Sequence, residues 1–129
     1  MFGTFQHSNL RIEVAASHDR LQRCFTQPAK LQQWLKFQRF VPELPTELSP
    51  GLTFWSLSLG VIPVKHTIDR LDTNNIRFLL SQGVDGFHEW SWGEGWVQSR
   101  LEGVSLLPLN LGQSLSLWCL QQYLQQSPD

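Results

Sequence analysis

The sequence predicts an α+β domain in which a seven-stranded antiparallel sheet wraps around a long C-terminal helix. Six of the predicted strands are consecutive, and their connections are too short for parallel crossovers, so they must pair antiparallel. Residues 111–126 form the predicted helix, whose apolar residues leave free only a narrow stripe at Ser114, Gln121 and Gln125. Such a sheet has one dry face, and this apolar helix is its expected cover.

The first part of the chain predicts one strand followed by two short helices. Residues 5–14 alternate loosely in polarity and end in β-forming residues, which is typical of a strand. Ser17 is a plausible N-cap, and Asp19 lies in the first turn of the helix that follows. Pro28 suits the first turn of a second helix over residues 28–35, which has an apolar face.

Six further strands are predicted from an apolar period of two and from the turn residues between them. In the third strand, Trp55 and Leu57 share a face with Leu59, and in the fourth, His66 lies on the apolar face. A tight turn is expected at residues 60–63. The predicted strands cover residues 37–41, 52–60 and 64–71, a segment marked by Ile76, Phe78 and Leu80, and residues 87–92 and 96–104.

The last hairpin has two candidate registers. A two-residue loop at Glu94 and Gly95 pairs Trp92 with Val97, and it sets Glu89 opposite Arg100 as an opposite-charge pair. A three-residue loop would instead set His88 opposite Arg100 and mix apolar with charged groups. We prefer the first register because it keeps each face chemically consistent.

Composition limits the function classes. The 129 residues suit a single domain over 1–129, with 41% hydrophobic residues, 16% charged residues and a net charge of −1. This balance lacks the basic surface of a nucleic-acid binder. No apolar window is long enough for a membrane span, and no secretory signal is visible, so a cytoplasmic protein is expected. Cys24 and Cys119 are expected to be free thiols in a reducing compartment. A homodimer is left open.

The order of elements resembles the START-like, or polyketide cyclase-like, superfamily, also labelled SRPBCC. The resemblance rests on the stretch HSNLRIEVAASHDRLQRCFTQPAKLQQWLKF, in which Thr26-Gln27-Pro28 through Trp34 is similar to a recurrent segment, and on the late hairpin and closing apolar helix. It implies a helix-grip fold with a cavity between sheet and helix. Members bind sterols, lipids, plant hormones, quinones or polyketides, and some catalyse cyclisation or hydrolysis. Function depends on the site rather than on the fold.

The expected walls of the cavity are aromatic. Side chains on the inferred inward face could form a flat wall for a planar or isoprenoid ligand, or they could simply fill the space under the helix. Both interpretations stay open. The candidate ligand-binding residues are Trp55, His66, Phe78, Leu80, His88, Trp90, Trp92, Leu115 and Trp118.

Catalytic signals are few. GxSxG and phosphate-binding glycine loops are absent, the four histidines lack zinc spacing, and no metal or other cofactor is expected. His66 and His88 are the candidates for a general base, and the alternative is a pair of core histidines with backbone or water partners. Glu89, Arg100 and Glu102 are expected to form an exposed ion-pair ladder. Trp96 is expected to face outward, under the loop at residues 42–50 or against a partner.

Three functions remain. The first is a non-catalytic carrier or sensor of a small hydrophobic molecule. The second is an enzyme of cyclase or hydrolase type with a pocket histidine as general base. The third is a structural protein with a filled interior. The sequence favours binding over catalysis, because no set of polar residues is expected to converge on the cavity.

Overall fold

The fold is a single antiparallel sheet with three helices, and the computed structural model describes residues 3–58, 62–106 and 108–126. The element order confirms the prediction of one strand, two short helices, six strands and a long helix. The elements are β1 (Thr4–Glu13), α1 (His18–Thr26), α2 (Pro28–Trp34), β2 (Gln38–Val41), β3 (Thr53–Ser58), β4 (Ile62–Leu71), β5 (Asn75–Ser81), β6 (Asp85–Gly93), β7 (Trp96–Ser105) and α3 (Leu109–Gln126).

The sheet order is β1-β7-β6-β5-β4-β3-β2, so the first strand pairs with the last. Strands β2 to β7 are each paired with their sequence neighbours, because short connections allow only antiparallel hairpins. Strand β1 pairs antiparallel with β7 along its whole length. The sheet therefore has two edges, β1 and β2, and α3 has contacts with β1 and β7.

The two short helices begin where the sequence predicts. The Ser17 hydroxyl accepts a hydrogen bond of 3.2 Å from the backbone N–H of Arg20, which caps α1, and α2 begins at Pro28. The indole N–H of Trp34 donates to the carbonyl of Cys24 at 2.9 Å and ties the two helices together. Arg20 also donates to the Leu124 carbonyl at 3.2 Å, which satisfies a carbonyl in the last turn of α3.

The hairpin between β6 and β7 has the two-residue loop. Gly93 pairs with Trp96, Trp92 with Val97 and Glu89 with Arg100, so the preferred register is confirmed. Gly95 has a φ of +78°, a conformation that a tight hairpin turn demands and glycine adopts without strain.

The predicted face of β3 is wrong. Phe54 and Ser56 are buried, and Phe54 pairs with the inward-facing His66, so Trp55 lies on the opposite face of the sheet. Both alternation phases of this strand contain large apolar residues, and the strand partner decides which phase is buried. Leu59 and residues 60–61 of the turn predicted at residues 60–63 lie outside the described residues. Residues 62 and 63 belong to β4, which starts two residues earlier than predicted.

Helix α3 starts two residues earlier than predicted, and its exposed stripe is wider. Leu111 and Trp118 lie on that stripe, and the Trp118 side chain is 53% exposed. The prediction that Trp118 faces the cavity is therefore wrong. Apolar residues surround most of this helix, so the helical wheel could not determine which of them face the sheet. The described part of the helix extends to Gln126, the last residue of the predicted helix, and Pro128 lies outside the described residues.

Trp96 faces outward as predicted, but its cover is different. The guanidinium of Arg11 on β1 lies 4.1 Å from the centroid of the Trp96 ring, within the range of a cation–π contact. The same guanidinium donates to the Gln98 amide oxygen at 3.1 Å. A neighbouring strand therefore covers the indole, in place of the loop or the partner protein that the sequence predicts.

Candidate functional site

A cavity of about 320 Å³ lies between α3 and the buried face of the sheet, partly open to solvent. Its walls are mainly aliphatic, with Leu35 and Phe37 from the segment around the end of α2 and several leucines from β5, β7 and α3. No Asp, Glu, Lys or Arg lines it among the described residues. The polar side chains that line it, apart from Cys119, are Gln38, Ser56, His66, His88, Gln113 and Ser116.

Four of the nine candidate residues line this cavity: His66, Leu80, His88 and Leu115. Phe78 and Trp90 instead line a smaller space of about 30 Å³ that shares both histidines with the main cavity. Trp92 lines neither space, Trp55 lies on the opposite face, and Trp118 is exposed. The structure thus brings the two histidines together and leaves most of the tryptophans elsewhere.

The inward-facing tryptophans pack against the short helices. The ring of Phe25 on α1 stacks on Trp92 with centroids 4.8 Å apart, and it contacts Trp90 at 5.1 Å. The ring of Trp34 on α2 makes edge-to-face contacts with Phe25 and Trp90, with centroids 5.4 and 5.7 Å apart. Such aromatic contacts contribute roughly 0.5–1.5 kcal/mol each beyond area burial. At this end of the sheet the indoles fill the interior, and the cavity lies at the other end, near the start of α3.

Gln113 is the centre of a buried polar network that the sequence analysis missed. Its side chain is 1% exposed. The amide nitrogen donates to the Ser99 carbonyl at 2.9 Å and to the Ser99 hydroxyl at 3.0 Å. The amide oxygen accepts a hydrogen bond of 2.6 Å from the hydroxyl of Ser8 on β1. A buried amide with these partners fixes α3 against β1 and β7.

His66 lies between two aromatic rings on β3 and β5. Its ring stacks on Phe54 with centroids 5.1 Å apart and meets the edge of Phe78 at 5.6 Å. Its Nδ1 is 3.1 Å from the Val64 carbonyl. Burial lowers the pKa of His66 from 6.5 to about 4, and the backbone hydrogen bond offsets this only in part. The imidazole is therefore neutral at physiological pH.

His88 on β6 joins the Gln113 network. Its Nε2 is 2.8 Å from the Ser99 hydroxyl oxygen, and its ring leans on Trp90 with centroids 4.7 Å apart. Burial, and to a smaller extent the nearby His66, lowers the pKa of His88 to about 3. Both cavity histidines are therefore neutral hydrogen-bonding groups rather than cations.

The expectation that no polar set converges on the cavity is thus wrong. A signal was present for Ser99, because the confirmed hairpin register pairs it with Trp90 on the inward face. Gln113 and Ser116 lie one turn apart on α3, but apolar neighbours on nearly every side of the helix hid which polar residues face inward. Sequence periodicity reports polarity, and it does not identify a buried amide whose partners come from distant strands.

The remaining candidate chemistry is at the surface. Arg100 donates to the Glu102 carboxylate at 3.4 Å, and His7 lies 3.1 Å from the same carboxylate, all on the outer face. Within the described ranges, no three His, Cys, Asp or Glu side chains are grouped in a way that could hold a metal ion. None of the helices in those ranges is long and apolar enough to cross a membrane.

Comparison with solved structures identifies the fold. The chain is similar to DynU16, a protein of the dynemicin biosynthetic locus, at a TM-score of 0.70 and 17% identity, over 93% of this chain and 47% of that one. It thus spans about half the length of DynU16. Norcoclaurine synthase from Thalictrum flavum, in complex with dopamine and hydroxybenzaldehyde, is similar at a TM-score of 0.67 and 11% identity, over 98% of this chain and 90% of that one.

The Aha1 dimer from Colwellia psychrerythraea gives a TM-score of 0.66 at 13% identity, over 96% of this chain and 99% of that one. No family model matches the sequence, and no curated protein matches it. Identities this low establish the fold alone. The chain shares its fold with these three proteins, and this is the helix-grip fold that the sequence resemblance implied.

Proposed function

We propose that this chain binds a small, uncharged hydrophobic molecule in the cavity between α3 and the sheet. The observation that supports this most directly is an aliphatic cavity of about 320 Å³ with no charged side chain among its described lining residues. Its size is at the lower end of the roughly 300–1,000 Å³ of cavities that enclose drug-sized ligands. An apolar guest would gain roughly 25 cal/mol for each Å² removed from water.

The chemistry of the two histidines favours binding over the cyclase or hydrolase alternative. A general base is most efficient when its pKa is close to the working pH. The pKa values of about 4 for His66 and about 3 for His88 make both imidazoles weak bases. No carboxylic acid among the described lining residues could act as a partner acid. The two rings are better suited to hydrogen-bonding a bound molecule than to removing its proton.

The cavity also weighs against the filled-interior alternative. The indoles Trp34, Trp90 and Trp92 occupy the end of the interior beneath α1 and α2. The space near the start of α3 is lined by smaller side chains such as Ser56 and Ser116, and it stays open.

Titration with N-phenyl-1-naphthylamine, a neutral fluorophore that brightens in apolar surroundings, tests the proposal. Ser116 is buried and lines both spaces, so Ser116→Phe places a phenyl ring inside the cavity. Ser114 is exposed on the same helix, and Ser114→Phe is the matched control. We expect saturable one-site binding, at least tenfold weaker in Ser116→Phe and unchanged in Ser114→Phe. Equal affinity in all three proteins, with native circular dichroism, would refute cavity binding.

A further inference from the structure

The hydrogen positions at the polar end of the cavity follow from the contacts of Gln113. Its amide nitrogen lies 2.9 Å from the Ser99 carbonyl oxygen, an atom that can only accept, so this end of the amide is the NH₂ group. Its oxygen then faces the Ser8 hydroxyl at 2.6 Å and accepts from it. The orientation of the amide is therefore fixed by its partners. Three acceptors lie near its two hydrogens: the Ser99 carbonyl, the Ser99 hydroxyl oxygen at 3.0 Å and, farther away at 3.4 Å, the Ser8 carbonyl. The two shorter contacts are both to Ser99, so the contact to its hydroxyl oxygen is a donation from Gln113.

The Ser99 hydroxyl in turn determines which nitrogen of His88 has the hydrogen. Its oxygen accepts from Gln113, so its own hydrogen needs an acceptor. Among the described residues its other contact is the Nε2 atom of His88, 2.8 Å away. The arrangement that gives this hydrogen an acceptor is the one in which the hydroxyl donates to Nε2. A neutral imidazole whose Nε2 accepts has its hydrogen on Nδ1. His88 therefore has an N–H donor in the cavity lining that has no acceptor among the described residues.

His66 has the opposite free group. Its Nδ1 faces the Val64 carbonyl at 3.1 Å, which can only accept, so Nδ1 is the protonated nitrogen. Its Nε2 is then a bare lone pair, and this atom has no hydrogen-bond partner among the described residues. His66 and His88 line the same cavity on strands separated only by β5. Counting partners from the described part of the chain, the cavity lining thus has one unpaired acceptor and one unpaired donor.

We propose that these two histidines make the cavity selective for a hydrophobic molecule that has a hydroxyl group, such as an alcohol or a phenol. A hydroxyl can donate to Nε2 of His66 and accept from Nδ1–H of His88, whereas an ether oxygen can only accept. A hydrocarbon satisfies neither histidine. A carboxylate would face the His66 lone pair with no cationic side chain among the described lining residues to neutralise it. This inference rests on the proposed function and specifies its ligand class.

Four probes with the same aromatic body test the selectivity: 2-naphthol, 2-methoxynaphthalene, naphthalene and 2-naphthoate, each in equilibrium dialysis against the full chain. We expect 2-naphthol to bind about five- to tenfold more tightly than 2-methoxynaphthalene, as one additional net hydrogen bond predicts. We expect 2-naphthoate to bind most weakly. His66→Phe retains a ring against Phe54 and removes the acceptor, so it should bring 2-naphthol and 2-methoxynaphthalene within about twofold. The control His7→Phe, at an exposed position on β1, should retain the preference.

The two ring tautomers can be measured on the unmodified protein, which keeps the inference testable if His66→Phe fails to fold. Long-range ¹H–¹⁵N spectra should show both His66 and His88 in the Nδ1–H form, the minor tautomer of a free imidazole. An Nε2–H form at either ring would overturn the inference.

The outcomes separate the two proposals. Equal binding of the three neutral probes, or tightest binding of 2-naphthoate, would overturn the hydroxyl selectivity and leave cavity binding intact. No binding of any probe would overturn both. A preference for 2-naphthol that survives in His66→Phe would also contradict the role assigned to His66.

Discussion

Acid should destabilise this fold through its two cavity histidines. In the unfolded chain each imidazole titrates near its ordinary pKa of 6.5, but in the fold the pKa is about 4 for His66 and about 3 for His88. Between these values the unfolded chain binds protons that the folded chain does not. Above pH 6.5 the protonation of these histidines therefore has a negligible effect on the free energy of unfolding. That free energy falls as the pH drops from 6.5 toward the folded-state pKa values of about 4 and about 3.

The size of this effect follows from the pKa differences. Each pKa unit is equivalent to about 1.36 kcal/mol, so at about pH 5 each histidine costs roughly 2 kcal/mol relative to pH 7.5, and the pair roughly twice that. Urea unfolding followed by tryptophan fluorescence at these two pH values measures it directly. With a typical dependence of about 2 kcal/mol per molar urea, the midpoint should fall by roughly 2 M.

Two histidine variants test this assignment. His66→Phe removes one titrating group and should roughly halve the loss between pH 7.5 and pH 5. His18 works in the opposite direction, because its hydrogen bond to Asp19 raises its pKa, so the His18→Ala variant should lose somewhat more stability in acid. Equal unfolding free energies at the two pH values, or an undiminished loss in His66→Phe, would contradict the assignment of buried neutral imidazoles.

Two further predictions concern packing. Gln113→Leu removes the hydrogen-bond partner of the Ser8 hydroxyl and should lower the free energy of unfolding, measured in urea, by about 2 kcal/mol. The control Gln125→Leu, on the exposed face of α3, should change it little. Equal effects of the two substitutions would show that the network adds no stability. A Cβ at Gly86 would overlap the backbone of β7, so Gly86→Ala should lower the melting temperature by an amount equivalent to about 3 kcal/mol. Gly112→Ala has open space around its Cβ and should raise the melting temperature slightly. An unchanged melting temperature in Gly86→Ala would disprove the close approach of the strands.

The order of the elements could be predicted because the relevant signals are local. Ser17 and Pro28 identify the helix starts through their own hydrogen-bonding and ring geometry, without reference to the rest of the fold. The register of the last hairpin was also accessible, since Glu89 and Arg100 face each other in one register only. Signals of this kind need no knowledge of which distant segment packs nearby.

The faces of β3 and α3 could not be predicted for the opposite reason. In β3, Phe54 and Trp55 are adjacent large apolar residues, and pairing with His66 on β4 is what directs Phe54 inward. In α3, Trp118 is more hydrophobic than Gln113, yet the tryptophan is exposed and the glutamine buried. Two hydrogen bonds fix the orientation of Gln113: one to Ser8 on β1, 105 positions earlier, and one to Ser99 on β7, 14 positions earlier. Such pairings are properties of the folded chain.

The pairing of β1 with β7 has a consequence for how the chain folds. Strands β2 to β7 form successive hairpins, so the residues that pair are close in sequence. Strand β1 instead pairs with β7, which closes most of the chain into a loop. The hydrogen bond between Ser8 of β1 and Gln113 of α3 likewise joins residues 105 positions apart. Because long loops close slowly, we expect β1 and α3 to dock late. Leu10→Ala in β1 should then mainly speed unfolding in stopped-flow experiments, whereas Leu101→Ala in β7 should also slow folding.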